Sequence, residues 1–140
     1  MTTVIHNRLS AEQHIRELAN TIWTQARIHW PLVGEIPPIS CTIRASRVAG
    51  VAFYAGKIEY NLAYICTLDK LEDFNRTIVH ELAHIIQFRI YPKAKQAHGV
   101  EFRGIMARLG YDGSTYHKYS VSKAKSSVAR IKGQDILLDL

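Results

Sequence analysis

Apolar residues recur every three or four positions near the start of the chain, which predicts an amphipathic first helix. The apolar stripe of this helix consists of Ile15, Leu18, Ala19, Ile22 and Trp23. Ser10 and Gln13 have the spacing of a capping box, which predicts that the helix begins at Ser10. Pro31 disfavours helical geometry in the residue before it, so we expect the helix to end by about Trp30.

Apolar and polar residues alternate between residues 39 and 61, which is the pattern of half-buried strands. The first apolar series is Ile39, Cys41, Ile43 and Ala45. The segment VAFYAGKIEY is typical of a hairpin, because Gly56 can adopt the backbone conformation that a tight turn needs. We therefore predict three short strands, and we expect them to form a small antiparallel sheet.

The second half of the chain returns to helical spacing. A long helix is predicted from about Asp69, which can cap it, to Tyr91, because Pro92 follows. A second helix is predicted over residues 99–109, where the apolar positions are Phe102, Ile105, Met106 and Leu109. Gly110 is placed to cap the end of this second helix. The pattern predicts an α+β fold with one domain over residues 1–110 and a short extension over residues 111–140.

Composition limits the class of protein. A chain of 140 residues with 47% hydrophobic and 21% charged residues suits one globular domain and excludes wholesale disorder. Two cysteines, Cys41 and Cys66, are too few for a disulfide scaffold or a four-cysteine zinc ribbon. We find no apolar run long enough for a signal peptide or a membrane span, so we expect a cytoplasmic protein with no membrane partner.

The net charge suggests an anionic partner. The formal charge is +6, and the basic residues are spread along the whole chain rather than gathered in one arm. Nucleic acid is the usual partner of such a protein, so DNA is a candidate.

The strongest chemical signal is the sequence HELAH at residues 80–84. His80 and His84 are four residues apart, so a helix places both imidazoles on one face, where they can bind the same metal ion. Glu81 projects from beside that face and can reach a water molecule near the ion. The surrounding residues are mostly apolar, and polar side chains are costly to place there unless something compensates them. The alternative is a helix whose polar face happens to be rich in histidine.

Catalytic zinc usually has three protein ligands, so a third ligand is needed. The two candidates are His98 and Glu101, which lie at the start of the next helix. His98 is favoured because a neutral imidazole adds no charge and a helix start can place it over the helix that carries His80 and His84. Glu101 would then support a ligand imidazole through a hydrogen bond, or serve only as a first-turn acid that the helix dipole favours.

The run from about Ser46 to Gly110 resembles the SprT-like zinc protease domain, whose members include the Spartan DNA–protein crosslink proteases. The matching motifs are KIEYN at 57–61, HELAH at 80–84, HGVEF at 98–102 and MARLG at 106–110. The resemblance implies a zincin-like core and one zinc ion per chain, bound by His80, His84 and His98, with Glu81 as the base. Many bacterial members continue into a cysteine-rich zinc ribbon. Residues 111–140 contain no cysteine, so we do not expect that ribbon in them.

The leading hypothesis is a monomeric zinc-dependent endopeptidase that acts on DNA-associated proteins, in the cytoplasm, the nucleoid or the nucleus. One alternative is a regulatory HExxH protease that cleaves a repressor. Another is a non-catalytic DNA-binding module whose zinc ion is structural.

The sequence does not assign the donor that stabilises the oxyanion; the candidates are Tyr91, Tyr116, His117 and Tyr119. The sequence also leaves two interpretations open for a group of basic residues, which would form either a basic rim near the site or an ordinary solvated surface. These residues are Lys93, Lys95, Arg103, Lys118, Lys123 and Lys125.

Overall fold

The computed structural model describes residues 8–44, 48–65 and 71–111. The elements within these residues are α1 (Arg8–His29), β1 (Ile39–Thr42), β2 (Gly50–Phe53), β3 (Lys57–Asn61), α2 (Leu62–Ile65), α3 (Leu71–Ile90) and α4 (Val100–Arg108). The fold is α+β, as predicted. None of the helices described is both long and apolar enough to cross a membrane.

The sheet has three strands in the order β1-β3-β2 and is mixed rather than antiparallel. β3 pairs antiparallel with β2 and parallel with β1. The prediction of an antiparallel sheet was therefore wrong for β1. Alternation of apolar and polar residues is the same in both kinds of sheet, so the pattern predicts strands but not their direction. The hairpin itself is confirmed, and Gly56 in its turn has a φ of 102°.

Helix α3 forms the centre of the molecule. Every residue from Thr77 to Gln87 is buried. One side of α3 packs against α1, whose apolar stripe is buried except for the half-buried Leu18. The sheet packs against α3 as well, and the buried hydroxyl of Tyr60 in β3 donates a hydrogen bond to the carbonyl of Ile78 at 2.6 Å. The polar side chains within this stretch, which are those of Thr77, His80, Glu81, His84 and Gln87, therefore lie inside the protein.

The helix ends differ slightly from the prediction. α1 begins at Arg8, so Ser10 lies inside the helix and the predicted cap at Ser10 was wrong. α4 ends at Arg108, and Gly110 beyond it has a φ of 91°, which confirms the predicted glycine cap. The single-turn helix α2 was not predicted.

Some predictions fall on residues outside the described ranges. These are the cap at Asp69 and all but the first residue of the extension over residues 111–140. They remain predictions.

Candidate metal centre

Helix α3 brings His80 and His84 together by its pitch alone. Residues four apart lie on the same helix face one turn apart. The Nε2 atoms of the two imidazoles are 3.2 Å apart. The residues are only 6% and 8% exposed, so both imidazoles are held inside the protein.

His98 reaches the same point from the loop between α3 and α4. Its Nε2 lies 3.3 Å from that of His80 and 3.0 Å from that of His84. Unlike the two helix histidines, His98 is exposed. The structure therefore selects His98 rather than Glu101 as the residue whose ligand atom joins the pair.

The three Nε2 atoms are better arranged to bind a metal ion than to hydrogen-bond to one another. A ring nitrogen of neutral imidazole either donates one hydrogen or accepts one, and one N–H cannot point at two neighbours at once. Three mutually adjacent Nε2 atoms therefore cannot all be satisfied by hydrogen bonds among themselves. Nitrogen ligands at ordinary zinc distances in a tetrahedral site lie about 3.4 Å apart. The observed spacings are close to this value, so the three histidines could hold a metal ion, and zinc is consistent with them.

The protonation of these imidazoles also suits a metal site. Burial, with a smaller contribution from His98, lowers the pKa of His84 to about 4. Burial also lowers the pKa of His98. Both side chains are therefore neutral near pH 7, which is the form that binds a metal.

Glu81 lies beside the histidines and is 6% exposed. Burial raises the pKa of its carboxyl to about 7, although a hydrogen bond from the backbone of Ala52 acts in the opposite direction. A carboxyl with a pKa near neutrality can both accept and return a proton, which is the property of a general base and acid. Burial raises the pKa of nearby Tyr60 well above its usual value, and the negative charge of Glu81 raises that pKa further.

Strand β2 approaches Glu81 closely at Gly50. A Cβ atom at this position would lie 3.0 Å from Cγ of Glu81 and 3.2 Å from Cδ1 of Tyr60. It would also lie 3.3 Å from the carbonyl oxygen of Glu59. Gly50 thus allows the strand to pass over the carboxyl group. Neither the alternation of the strand nor the motif on α3 points to this glycine.

The histidines and Glu81 open into one cavity of about 440 Å³. Its other walls are the segment 48–52, which includes the start of β2, together with Phe88 and Ala97. Because β2 pairs only with β3, its other edge is unpaired within the described sheet. The site therefore combines three histidines that could hold a metal ion, a buried carboxyl that accepts from the backbone of Ala52, and a strand edge that no described strand covers.

Comparison with known proteins agrees with this geometry. The model of the SprT-like family matches residues 11–124, which is most of the chain. The chain belongs to the SprT-like family. It is 27% identical over 93 residues to the Protein SprT of Pseudomonas putida strain GB-1, which covers 66% of this chain and 56% of that protein. It is also 29% identical over 93 residues to the Protein SprT of Actinobacillus succinogenes, which covers 64% of this chain and 52% of that protein. The match thus spans only about half the length of these curated relatives.

Phe102 is a site residue of this SprT-like chain that the sequence reasoning treated only as core. Its side chain is fully buried, and its ring centroid lies 4.5 Å from that of His84, 4.9 Å from that of His80 and 5.0 Å from that of His98. It therefore packs against all three imidazoles. Because His98 lies in the turn before α4 rather than in the helix, its spacing from Phe102 gave no signal of this contact.

The remaining predicted site residues are less central. Glu101 is half-buried in the first turn of α4. The buried Nδ1 of His84 has no hydrogen-bond partner among the described residues, so Glu101 does not support His84 here. Tyr91 is 43% exposed and is not among the residues that line the cavity. Lys93, Lys95 and Arg103 are exposed. The other candidates, Tyr116, His117, Tyr119, Lys118, Lys123 and Lys125, lie outside the described ranges.

Proposed function

We propose that this SprT-like chain is a zinc-dependent endopeptidase. The observation that carries the proposal is the buried carboxyl of Glu81, which opens into the same cavity as the three histidines. A zinc site that is purely structural is usually closed by four protein ligands. The cluster found among the described residues offers three, beside an acid that a structural site would not need.

His80, His84 and His98 would hold the zinc ion through their Nε2 atoms. When bound, zinc would activate a water molecule and polarise the carbonyl group of the peptide bond. Glu81 accepts the proton of the attacking water at its carboxylate and returns a proton to the leaving amine. Its pKa of about 7 in the metal-free protein is consistent with both roles.

Strand β2 is suited to bind the substrate backbone. An extended peptide can add to an unpaired strand edge through main-chain hydrogen bonds. Residues 48–52 line the cavity, so a peptide on this edge would pass close to Glu81. Binding through the backbone gives affinity without a strict choice of side chains, which suits a protease for flexible segments.

The Glu81→Gln variant tests the mechanism. Gln keeps the size of the side chain but cannot accept the proton, so we expect hydrolysis of an unfolded protein such as casein to fall by about 10²–10⁴-fold. Zinc content, measured by metal analysis, should stay at about one ion per chain. Glu72→Gln is the matched control, because it makes the same change at an exposed position of the same helix. Cleavage by Glu81→Gln at the wild-type rate would contradict the mechanism.

We further propose that the substrates are DNA-associated proteins. The formal charge of +6 favours contact with nucleic acid. Digestion of an unfolded protein should then be faster when single-stranded DNA is present. Equal rates with and without DNA would favour the regulatory protease instead, and zinc binding without any cleavage would favour the non-catalytic module. The cytoplasmic location and the monomeric state remain predictions.

A further inference from the structure

Two buried polar atoms of α3 have no hydrogen-bond partner among the described residues. They are Nδ1 of His84 and Oε1 of Gln87. Gln87 is only 3% exposed, so water does not readily replace a protein partner. Buried polar groups are nearly always paired, and each exception calls for an explanation. Here the two exceptions lie three residues apart on one helix.

The two atoms are chemically complementary. When Nε2 of a histidine binds a metal ion, the hydrogen of the ring is on Nδ1, which becomes a donor. The Oε1 atom of Gln87 is an acceptor. Residues three apart on a helix are neighbours, and a long side chain leans back towards the preceding turn. Gln87 and His84 are thus neighbours on the helix surface, although their two unpaired atoms do not hydrogen-bond to each other in this structure.

The other end of the same carboxamide already holds the loop that carries His98. Nε2 of Gln87 donates a hydrogen bond to the carbonyl oxygen of Gln96 at 2.9 Å. Gln96 lies immediately before the turn at residues 97–98. This turn is tightly packed, since a Cβ at Gly99 would lie 3.1 Å from Cβ of Gln96. A shift of Gln96 would therefore be passed on to His98.

We propose that Gln87 is a positioning residue of the metal centre. Its Nε2 holds the loop that presents His98, and its Oε1 accepts the Nδ1 hydrogen of His84 when that imidazole is bound to the metal. One neutral side chain thereby links a ligand on the helix to the ligand on the loop. The inference rests on the metal centre of the proposed function, but it does not depend on peptidase activity.

The test is the zinc affinity of the full chain, measured by competition with a chromogenic chelator. Gln87→Leu removes both polar atoms at similar size, and we expect the zinc affinity to fall about 10–100-fold. Gln87→Glu keeps an acceptor for His84 but loses the donor to Gln96, so its loss should be smaller. Gln25→Leu, at an exposed position of α1, is the matched control and should bind zinc as the wild type does. The visible spectrum of the cobalt-loaded protein should change in Gln87→Leu and not in Gln25→Leu.

Three outcomes would overturn the inference in whole or in part. Zinc affinity of Gln87→Leu within about twofold of the wild type, a change no larger than that of an ordinary surface substitution, would remove Gln87 from the metal centre. Lower thermal stability of metal-free Gln87→Leu, with unchanged zinc affinity and cobalt spectrum, would assign a merely structural role. Equal losses in the Leu and Glu variants would remove the bond to His84 and leave only the bond to Gln96. Failure of the wild-type chain to bind zinc would instead overturn the proposed function itself.

Discussion

The candidate metal centre has two halves that are built in different ways. His80 and His84 are buried on one helix, and the pitch of that helix fixes their separation. His98 is exposed and comes from a loop, so its position depends on what holds the loop. One half of the site therefore follows from local geometry, whereas the other half requires tertiary contacts.

The two halves should therefore respond differently when a ligand is removed. A helix histidine serves both the core and the metal site, because its side chain is buried inside the protein. The loop histidine serves the metal site with little contribution to the core.

The largest effect is expected for His84→Ala. Zinc affinity should fall by more than about 100-fold, the upper range for losing a group that merely supports a ligand. Loss of the buried ring should also destabilise the metal-free protein by about 1–3 kcal/mol. Chelator competition measures the first change and urea unfolding without metal measures the second. Unchanged stability of the metal-free variant would show that the two halves do not differ.

The companion variant His98→Ala should lose zinc affinity to a similar extent. Its metal-free stability should stay within about 0.5 kcal/mol of the wild type, as for most surface substitutions. The same two measurements apply. Retention of wild-type zinc affinity would remove His98 from the site, and a large loss of metal-free stability would contradict the comparison.

A third region, strand β2, sharpens the comparison through Gly50→Ala. The new Cβ would be forced against Glu81 and against backbone at Glu59, so we expect a loss of about 1–3 kcal/mol in the free energy of unfolding. Peptide hydrolysis should fall as well, because Glu81 must move. Zinc affinity should change less than in either histidine variant.

The control for Gly50→Ala is Gly104→Ala. Gly104 lies within α4, and a Cβ there would meet nothing within 4 Å. Alanine in a helix interior is favoured over glycine, so this variant should gain about 0.5–1 kcal/mol. Equal effects at the two glycines would show that the close approach to Glu81 costs nothing.

The smallest effect is expected for Glu101→Gln. The buried Nδ1 of His84 has no hydrogen-bond partner among the described residues, so loss of the Glu101 carboxylate removes no bond to it, and zinc affinity should change by about twofold or less. A tenfold loss, measured by the same chelator competition, would instead assign to Glu101 the supporting role that the sequence suggested.

Much of the helical part of the site could be predicted from the sequence. The pattern HELAH on an apolar helix predicts the relative positions of two candidate ligands and the adjacent carboxyl, since their relation depends only on helix geometry. The parallel pairing of β1 with β3 could not be predicted, because the alternation of apolar and polar residues does not encode strand direction. Gly50 and Phe102 were missed as site residues, because each acts through contacts with another segment of the chain.

The sequence by itself determined the α+β class, the hairpin at Gly56 and the pairing of His80 with His84. These features follow from periodicities of two and of about 3.6 residues within one segment. Only the tertiary structure decided that His98, rather than Glu101, joins them, and that β2 passes over Glu81. The reason is physical, since burial and side-chain packing between segments set these distances and the raised pKa of Glu81.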